Sequence, residues 1–165
     1  MAFKVYLKSG YLSIYGHNLP ITCKVRTLDN KTRFADQVVY TVPGDGSQGR
    51  PYMPDVFPPG KWNITGLLWQ KNGNVNFHYP TYGPCKILTD AYRMVKVWQL
   101  DSNLDYFQET NEEVKDLGYM LHWSESSTTL GCIRLATEAD AYELGNMIDD
   151  MLRSVKSIPL EVIAL

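Results

Sequence analysis

The chain has 165 residues, of which 44% are apolar, 12% aromatic and 21% charged. This profile predicts one compact globular domain spanning 1–165, and it excludes a disordered tail, a collagen-like chain and a coiled coil. The chain has sixteen Lys and Arg and eighteen Asp and Glu, which gives a formal net charge of −2. We therefore expect no nucleic-acid partner, because no surplus positive field is available to attract a phosphate backbone.

The first quarter of the chain carries the period-two pattern of β-strands. Apolar residues alternate with polar ones over 5–7 and 12–14, on either side of Ser9-Gly10, which predicts a tight hairpin. Residues 21–27 and 37–42 repeat the β-branched alternation and predict two further strands.

Proline and glycine interrupt the chain from Pro43 to Gly60, which predicts a long loop without helix or central strand. Strand character returns over 61–69 and again over 93–100. The sequence Thr110-Asn111-Glu112-Glu113 matches a capping box and predicts a short helix ending near Gly118.

The clearest helix follows Thr137, because apolar residues recur at spacings of three and four up to Val155. Pro159 ends this segment, and 160–164 predicts a last strand. We therefore expect a mainly β fold with α, namely a β-rich sandwich with one long helix packed on the sheet.

The N-terminal sixteen residues lack the unbroken apolar run of a secretory signal, and no stretch reaches the roughly twenty apolar residues of a membrane span. The sequence thus predicts a protein made in the cytoplasm, without a membrane span. If the protein acts outside the cytoplasm, it would have to be exported by a route other than a cleaved N-terminal signal.

The segment from Tyr119 to Leu135 holds the residue types of a thiol acyl-transfer site. An apolar strand delivers His122, a polar loop follows, and Gly131-Cys132 stands where an apolar strand begins again. A thiol becomes a nucleophile as thiolate, and a neighbouring imidazole is the common means of making one near neutral pH. A glycine before the nucleophile lets two backbone amides, those of Gly131 and Cys132, turn toward one oxyanion. The same pattern also fits a buried, inert cysteine and a structural histidine.

The three cysteines, Cys23, Cys85 and Cys132, are odd in number and fit neither a disulfide framework nor paired CxxC metal knuckles. His78, Cys85, His122 and Cys132 are ligand-type residues, but their spacings match no recurrent zinc site. We expect no metal and no other cofactor.

The chain resembles the L,D-transpeptidase catalytic domain (YkuD-type). The resemblance rests on a Pro-Pro-Gly-Lys-Trp-Asn-Ile segment at 58–64, on His122, and on the sequence Thr-Leu-Gly-Cys-Ile-Arg-Leu at 129–135 before a capped helix and a final strand. It spans nearly the whole chain, and its specific part runs from His122 to Leu135. Leu130 stands where the family usually has a second histidine, and the interval from His122 to Cys132 is shorter than in most cross-linking members.

The resemblance implies a cysteine nucleophile at Cys132, a general base at His122 and an oxyanion hole built from the amides of Gly131 and Cys132. Arg134 matches the arginine after the family's cysteine and is expected to orient the site or hold a substrate carboxylate; a solvated or salt-bridged strand residue fits it as well. Trp123, Tyr79 and Tyr82 are candidates to wall the substrate groove, although such rings also pack in cores and at sheet edges.

The implied activity is that of an L,D-carboxypeptidase or L,D-transpeptidase, with exchange of D-amino acids, on peptidoglycan tetrapeptide stems. The short interval and the missing signal resemble the compact branch of antibacterial effectors exported by a contractile, type VI secretion apparatus. Such an effector would act in the periplasm, and its producer would carry an inhibitor, or immunity, protein. A phage-encoded wall enzyme released by lysis fits the same residues, as does a catalytically silent module of a phage particle.

Overall fold

A computed structural model describes residues 3–14, 16–22, 33–34, 37–42, 45–51, 56–70, 79–100, 102, 107–126 and 132–164. Strands account for most of the regular structure in the described residues, which confirms a mainly β fold with α. The elements, in chain order, are Phe3–Tyr6 (β1), Tyr11–Ile14 (β2), His17–Thr22 (β3), Arg33–Phe34 (β4), Gln37–Val42 (β5), Asp45–Pro51 (β6), Gly60–Trp69 (β7), Tyr79–Tyr82 (α1), Cys85–Thr89 (β8), Arg93–Leu100 (β9), Phe107–Asp116 (β10), Met120–His122 (β11), Ile133–Leu135 (β12), Glu138–Leu152 (α2) and Ile158–Ile163 (β13).

The chain divides into two compact units, whereas the sequence predicted one domain over 1–165. The first unit joins three segments, Met1–Arg26, Asp55–Ala91 and Gly118–Leu165. The second consists of Thr27–Pro54 and Tyr92–Leu117. Every described residue of the predicted site lies in the first unit.

Eight strands of the first unit close into a barrel in the order β1-β13-β7-β8-β11-β12-β3-β2, in which β2 pairs with β1. The expected sandwich is not confirmed. Closure depends on parallel pairing of the first strand with the last, Phe3 opposite Leu160, a contact between chain ends that local patterning does not reveal. The second unit holds a five-stranded sheet, β10-β9-β6-β5-β4.

The N-terminal hairpin forms as predicted: β1 and β2 pair antiparallel, and Gly10 between them adopts a φ of 75° that other residues rarely take. Strands β5, β7 and β9 match the predicted ranges at 37–42, 61–69 and 93–100 to within one residue. Strand β3 begins at His17, four residues before the prediction, and residues 23–27 of that prediction lie outside the described residues.

The prediction of a loop without a central strand over Pro43–Gly60 was wrong. Strand β6 occupies Asp45–Pro51 and lies between β5 and β9 in its sheet. Glycine only weakens a strand, whereas proline removes a ladder hydrogen bond, and the one proline of β6 is its last residue. Of this segment, residues 43–44 and 52–55 lie outside the described residues.

The predicted short helix after Thr110 was also wrong, because Phe107–Asp116 forms strand β10 beside β9. The Thr110 hydroxyl accepts a hydrogen bond from the Glu112 amide, as in a cap, and donates to the carbonyl of Val97 on β9. The register shifts between Glu109 and Glu113. Thr110 and Glu112 therefore belong to a β-bulge. At such a bulge a side chain can accept the hydrogen bond of an amide that is displaced from the regular strand pairing.

Helix α2 begins as predicted, since the Thr137 hydroxyl accepts a hydrogen bond from the Asp140 amide at 3.0 Å. Its buried face consists of Ala141, Leu144, Gly145 and Ile148, and the helix lies against β7, β8 and β12. The helix ends at Leu152, so Val155 is exposed. Among the described residues no helix is both long enough and apolar enough to cross a bilayer.

Gly145 is required by close packing of α2 on the barrel. A Cβ atom there would lie 2.7 Å from the Trp69 ring and 2.9 Å from the Cys85 sulfur, both too close for carbon. Gly145→Ala gains about 1 kcal/mol of helix propensity but overpacks the interface by about 2–3 kcal/mol. We expect a net loss of about 1–2 kcal/mol in the free energy of unfolding, measured by urea denaturation. Asn146→Ala, at an exposed position of the same helix, should not be destabilising, and equal stability of both variants would contradict this account.

Candidate active site

The pairing of two short strands places the histidine and the cysteine of the predicted site. Strands β11 and β12 run parallel, with Leu121 opposite Ile133 and His122 opposite Arg134. Leu121 and Ile133 are fully buried in the barrel core. Because side chains alternate along a strand, His122 and Arg134 lie on the opposite face, and Cys132 comes directly before β12.

The Cys132 thiol is held by the backbone of the neighbouring segment. The Met120 amide donates a hydrogen bond to the Cys132 sulfur at 3.4 Å, and the thiol donates to the Gly118 carbonyl at 3.6 Å. Burial raises the pKa of Cys132 to about 11, and the Met120 hydrogen bond opposes this only in part. In this arrangement the thiol is protonated at neutral pH.

The His122 ring is 4% exposed, and the backbone fixes its orientation. Its Nδ1 donates to the carbonyl of Trp123 at 3.0 Å, so the neutral ring carries its lone pair on Nε2. A second backbone contact comes from Thr81. Burial lowers the pKa of His122, and the charges of Lys86 and Arg134 lower it further. A neutral imidazole at pH 7 is the form that a general base needs.

The strand register sets the separation of Cys132 and His122. Cys132 lies two positions before Arg134, the register partner of His122, so the two Cα atoms are about 8 Å apart from strand geometry. Gly131 lies outside the described residues. The dyad and the oxyanion hole of Gly131 and Cys132 therefore stay predictions.

The structure brings together the aromatic residues that the sequence singled out, and it does so around His122. The Tyr82 ring meets the imidazole edge-on at 5.3 Å between centroids, and the Lys86 ammonium lies 4.0 Å over that Tyr82 ring. The Tyr79 ring lies 6.1 Å from Trp123. These rings belong to α1 and to the residue after β11, and the Tyr82 ring packs against the imidazole.

A tight turn after α1 sets the position of Trp123. The Gly83 amide donates to the Tyr79 carbonyl at 2.7 Å, and Gly83 has a φ of 68°. A Cβ at Gly83 would lie 3.0 Å from the Trp123 ring, so glycine permits this approach. The Glu125 amide donates to the Pro80 carbonyl at 2.8 Å, which ties the segment after β11 to α1.

Arg134 faces the same cluster. Its Nε donates to the Ser124 carbonyl at 3.0 Å, and its guanidinium lies 5.9 Å from the centre of the Trp123 ring. The side chain is half-buried, with its orientation fixed by these two contacts. This placement beside His122 fits a group that binds a substrate carboxylate.

The sequence analysis missed Glu138, Lys86 and the backbone of Thr81. Tyr79 donates a short hydrogen bond to the Glu138 carboxylate, and this bond, with a smaller contribution from burial, raises the pKa of Tyr79. Glu138 is the first residue of α2, a position where an acidic residue usually serves the helix itself. No local pattern pairs it with a tyrosine 59 residues earlier.

Cys85 lies in the core, where its thiol donates to the Ala141 carbonyl at 3.6 Å and burial raises its pKa to about 12. Within the described residues neither Cys85 nor Cys132 forms a disulfide, and Cys23 and His78 lie outside that part of the chain. Within the described ranges, no three His, Cys, Asp or Glu side chains are grouped closely enough to share a metal ion.

Comparison with protein-family models, with curated proteins and with solved structures finds no match for this chain. Any function must therefore be argued from its own residues.

Proposed function

We propose that the protein is a cysteine-dependent acyl transferase on peptidoglycan stem peptides, with L,D-carboxypeptidase or L,D-transpeptidase activity and D-amino-acid exchange. The observation that carries the proposal is the parallel β11–β12 register, which sets His122 opposite Arg134, two residues after Cys132. The neutral, oriented imidazole and the Tyr82 ring packed against it add support.

The first step requires a thiolate at Cys132. For this step the sulfur must leave the Gly118 carbonyl and approach the imidazole, which would take a change of the Cys132 χ1 rotamer. His122 Nε2 then accepts the thiol proton, while the Nδ1 hydrogen bond to Trp123 stabilises the resulting imidazolium. The described arrangement is the resting state of this pair.

The thiolate attacks the carbonyl at the L-centre of diaminopimelate, and the bond to the terminal D-amino acid breaks. His122 returns its proton to the leaving amine, and Cys132 retains the acyl group as a thioester. Water resolves the thioester in the carboxypeptidase reaction, whereas an amine resolves it in exchange or cross-linking.

An exported effector that acts in the periplasm would use such a wall-directed site. Its target would be the tetrapeptide stem, and its producer would need an inhibitor protein to cover the groove around His122 and Cys132. A phage-encoded wall enzyme would use the same chemistry after lysis.

The protonated state of Cys132 supports a second candidate, a catalytically silent binding or structural module. In the described contacts the thiol bonds to backbone groups and the imidazole to Trp123 and Thr81. Incubation with purified muropeptides, followed by mass spectrometry, separates hydrolysis, exchange, cross-linking and inactivity in one experiment. Unchanged muropeptides would favour the silent module.

The role of His122 has its own test in thiol alkylation. With a pKa near 11, an unassisted Cys132 should alkylate about tenfold faster for each pH unit between 6 and 9. We expect His122→Ala to follow that steep profile and to turn over muropeptides far more slowly. The unsubstituted protein should react faster at pH 6 to 7, because His122 supplies part of the thiolate population.

Alkylation of Cys85 in the same samples is the internal control, since this thiol is fully buried and should react more slowly than Cys132 at every pH. Coincident profiles for the two proteins would assign His122 a structural role.

A further inference from the structure

A carboxylate and three aromatic rings meet on the surface beside the candidate active site. Tyr79 donates to the Glu138 carboxylate and also hydrogen-bonds Tyr142, one helical turn after Glu138. The Trp123 ring lies 6.1 Å from Tyr79. Glu138 and Tyr142 are exposed, with Tyr142 48% accessible, so the cluster faces solvent.

The composition of this cluster matches one ligand chemistry. Aromatic faces attract a cation through their quadrupoles, and a carboxylate among them adds a full opposite charge and a hydrogen-bond acceptor. Because Tyr79 is held protonated, it donates to Glu138 and fixes the direction of the carboxylate. The group that such a cluster recognises is an ammonium.

Two cations lie on the imidazole side of the cluster. Arg134 faces the Trp123 ring and Lys86 the Tyr82 ring, and both charges act on His122. Charge is thus separated across the aromatic cluster, with an anion at the start of α2 and cations near His122. A ligand with an ammonium and a carboxylate at some distance from each other fits this distribution.

We propose that Glu138, Tyr79, Tyr142 and Trp123 form a subsite for the side-chain ammonium of the diamino acid in the stem peptide. This inference rests on the proposed function. Diaminopimelate and lysine both present an ammonium at the end of an aliphatic side chain, and the subsite recognises that shared group. Arg134 remains on the side of the imidazole to receive a carboxylate.

Three synthetic tetrapeptides that differ at the third residue test the subsite: meso-diaminopimelate, L-lysine and L-norleucine, which lacks the ammonium. We expect kcat/KM to be about tenfold or more higher for the two ammonium peptides than for the norleucine peptide, as for one charge-assisted contact. A difference in kcat/KM between the diaminopimelate and lysine peptides measures the effect of the additional carboxylate of diaminopimelate.

Glu138→Gln keeps an acceptor for the Tyr79 hydroxyl and removes the charge, so it should abolish the preference for the two ammonium peptides. Asp140→Asn is the matched control, since it removes another carboxylate from the first turn of α2. It should keep the preference.

Equal kcat/KM for all three peptides in the unsubstituted protein would overturn the subsite and leave the proposed function standing. Equal effects of Glu138→Gln and Asp140→Asn on the preference for the ammonium peptides would also overturn the subsite. The loss would then come from the charge at the start of α2 and not from a direct contact with Glu138. Turnover of no peptide would overturn the proposed function and the subsite with it.

Discussion

Cys132→Ala should lower muropeptide turnover on the order of a thousandfold or more while leaving the fold intact. The covalent route needs a group that attacks the carbonyl and holds the acyl chain. Among the described residues Cys85 is the other cysteine, and it is buried against α2 with a pKa near 12. The partly exposed Cys132 packs on backbone atoms at the edge of the core, so its loss should change stability little.

The measurement is product analysis by mass spectrometry at matched protein concentrations, with circular dichroism and a thermal melt to establish folding. Cys85→Ala is the control for loss of a thiol, and we expect it to keep turnover wherever it remains folded. If Cys132→Ala retained the turnover of the unsubstituted protein, the proposed acyl transfer would be abandoned, together with the role of His122.

The second large effect concerns the toxicity of the protein in the periplasm compared with the cytoplasm. Mature peptidoglycan stems lie outside the cytoplasmic membrane, so the chain should be tolerated when expressed in the cytoplasm of a Gram-negative cell. A fused secretory signal should make it toxic, because trimming of tetrapeptides to tripeptides removes stems needed for cross-linking. The expected readout is loss of colony formation, with swelling or lysis during growth.

The exported Cys132→Ala form is the decisive control, since it carries the same signal and the same load on the export machinery. Cells that express it should grow like cells with the empty vector, and their stems should stay tetrapeptides. Equal growth of cells exporting the two forms would contradict the account. In the effector interpretation, co-export of the producer's inhibitor protein should restore growth, whereas the phage interpretation requires no inhibitor.

The sequence by itself determined those elements whose signals are local. The alternation of apolar and polar residues predicted the bounds of β5, β7 and β9 to within one residue. This pattern depends only on the residues of the strand itself, so it can be recognised without the neighbouring strands. Thr137 and the apolar spacing after it fixed the start of α2. The strand that ends at His122 was visible for the same reason.

Local signals misled where tertiary contacts compete with them. The glycines of β6 look like loop residues, yet pairing with strands on both sides makes Asp45–Pro51 a central strand. The Thr110 hydroxyl makes a cap-like bond at a bulge, because Val97 of the neighbouring strand is there to accept its proton. In both cases strand pairing outweighs the local conformational propensity of the residues.

For the candidate site, the sequence supplied the residue types and the tertiary structure decided their neighbours. Parallel pairing of β11 with β12 sets how far Cys132 lies from His122, and α1 brings Tyr82 to the imidazole and Tyr79 to Trp123. The Tyr79–Glu138 pair joins residues 59 positions apart. Such contacts depend on how the barrel closes between distant segments, and no window along the chain contains both partners.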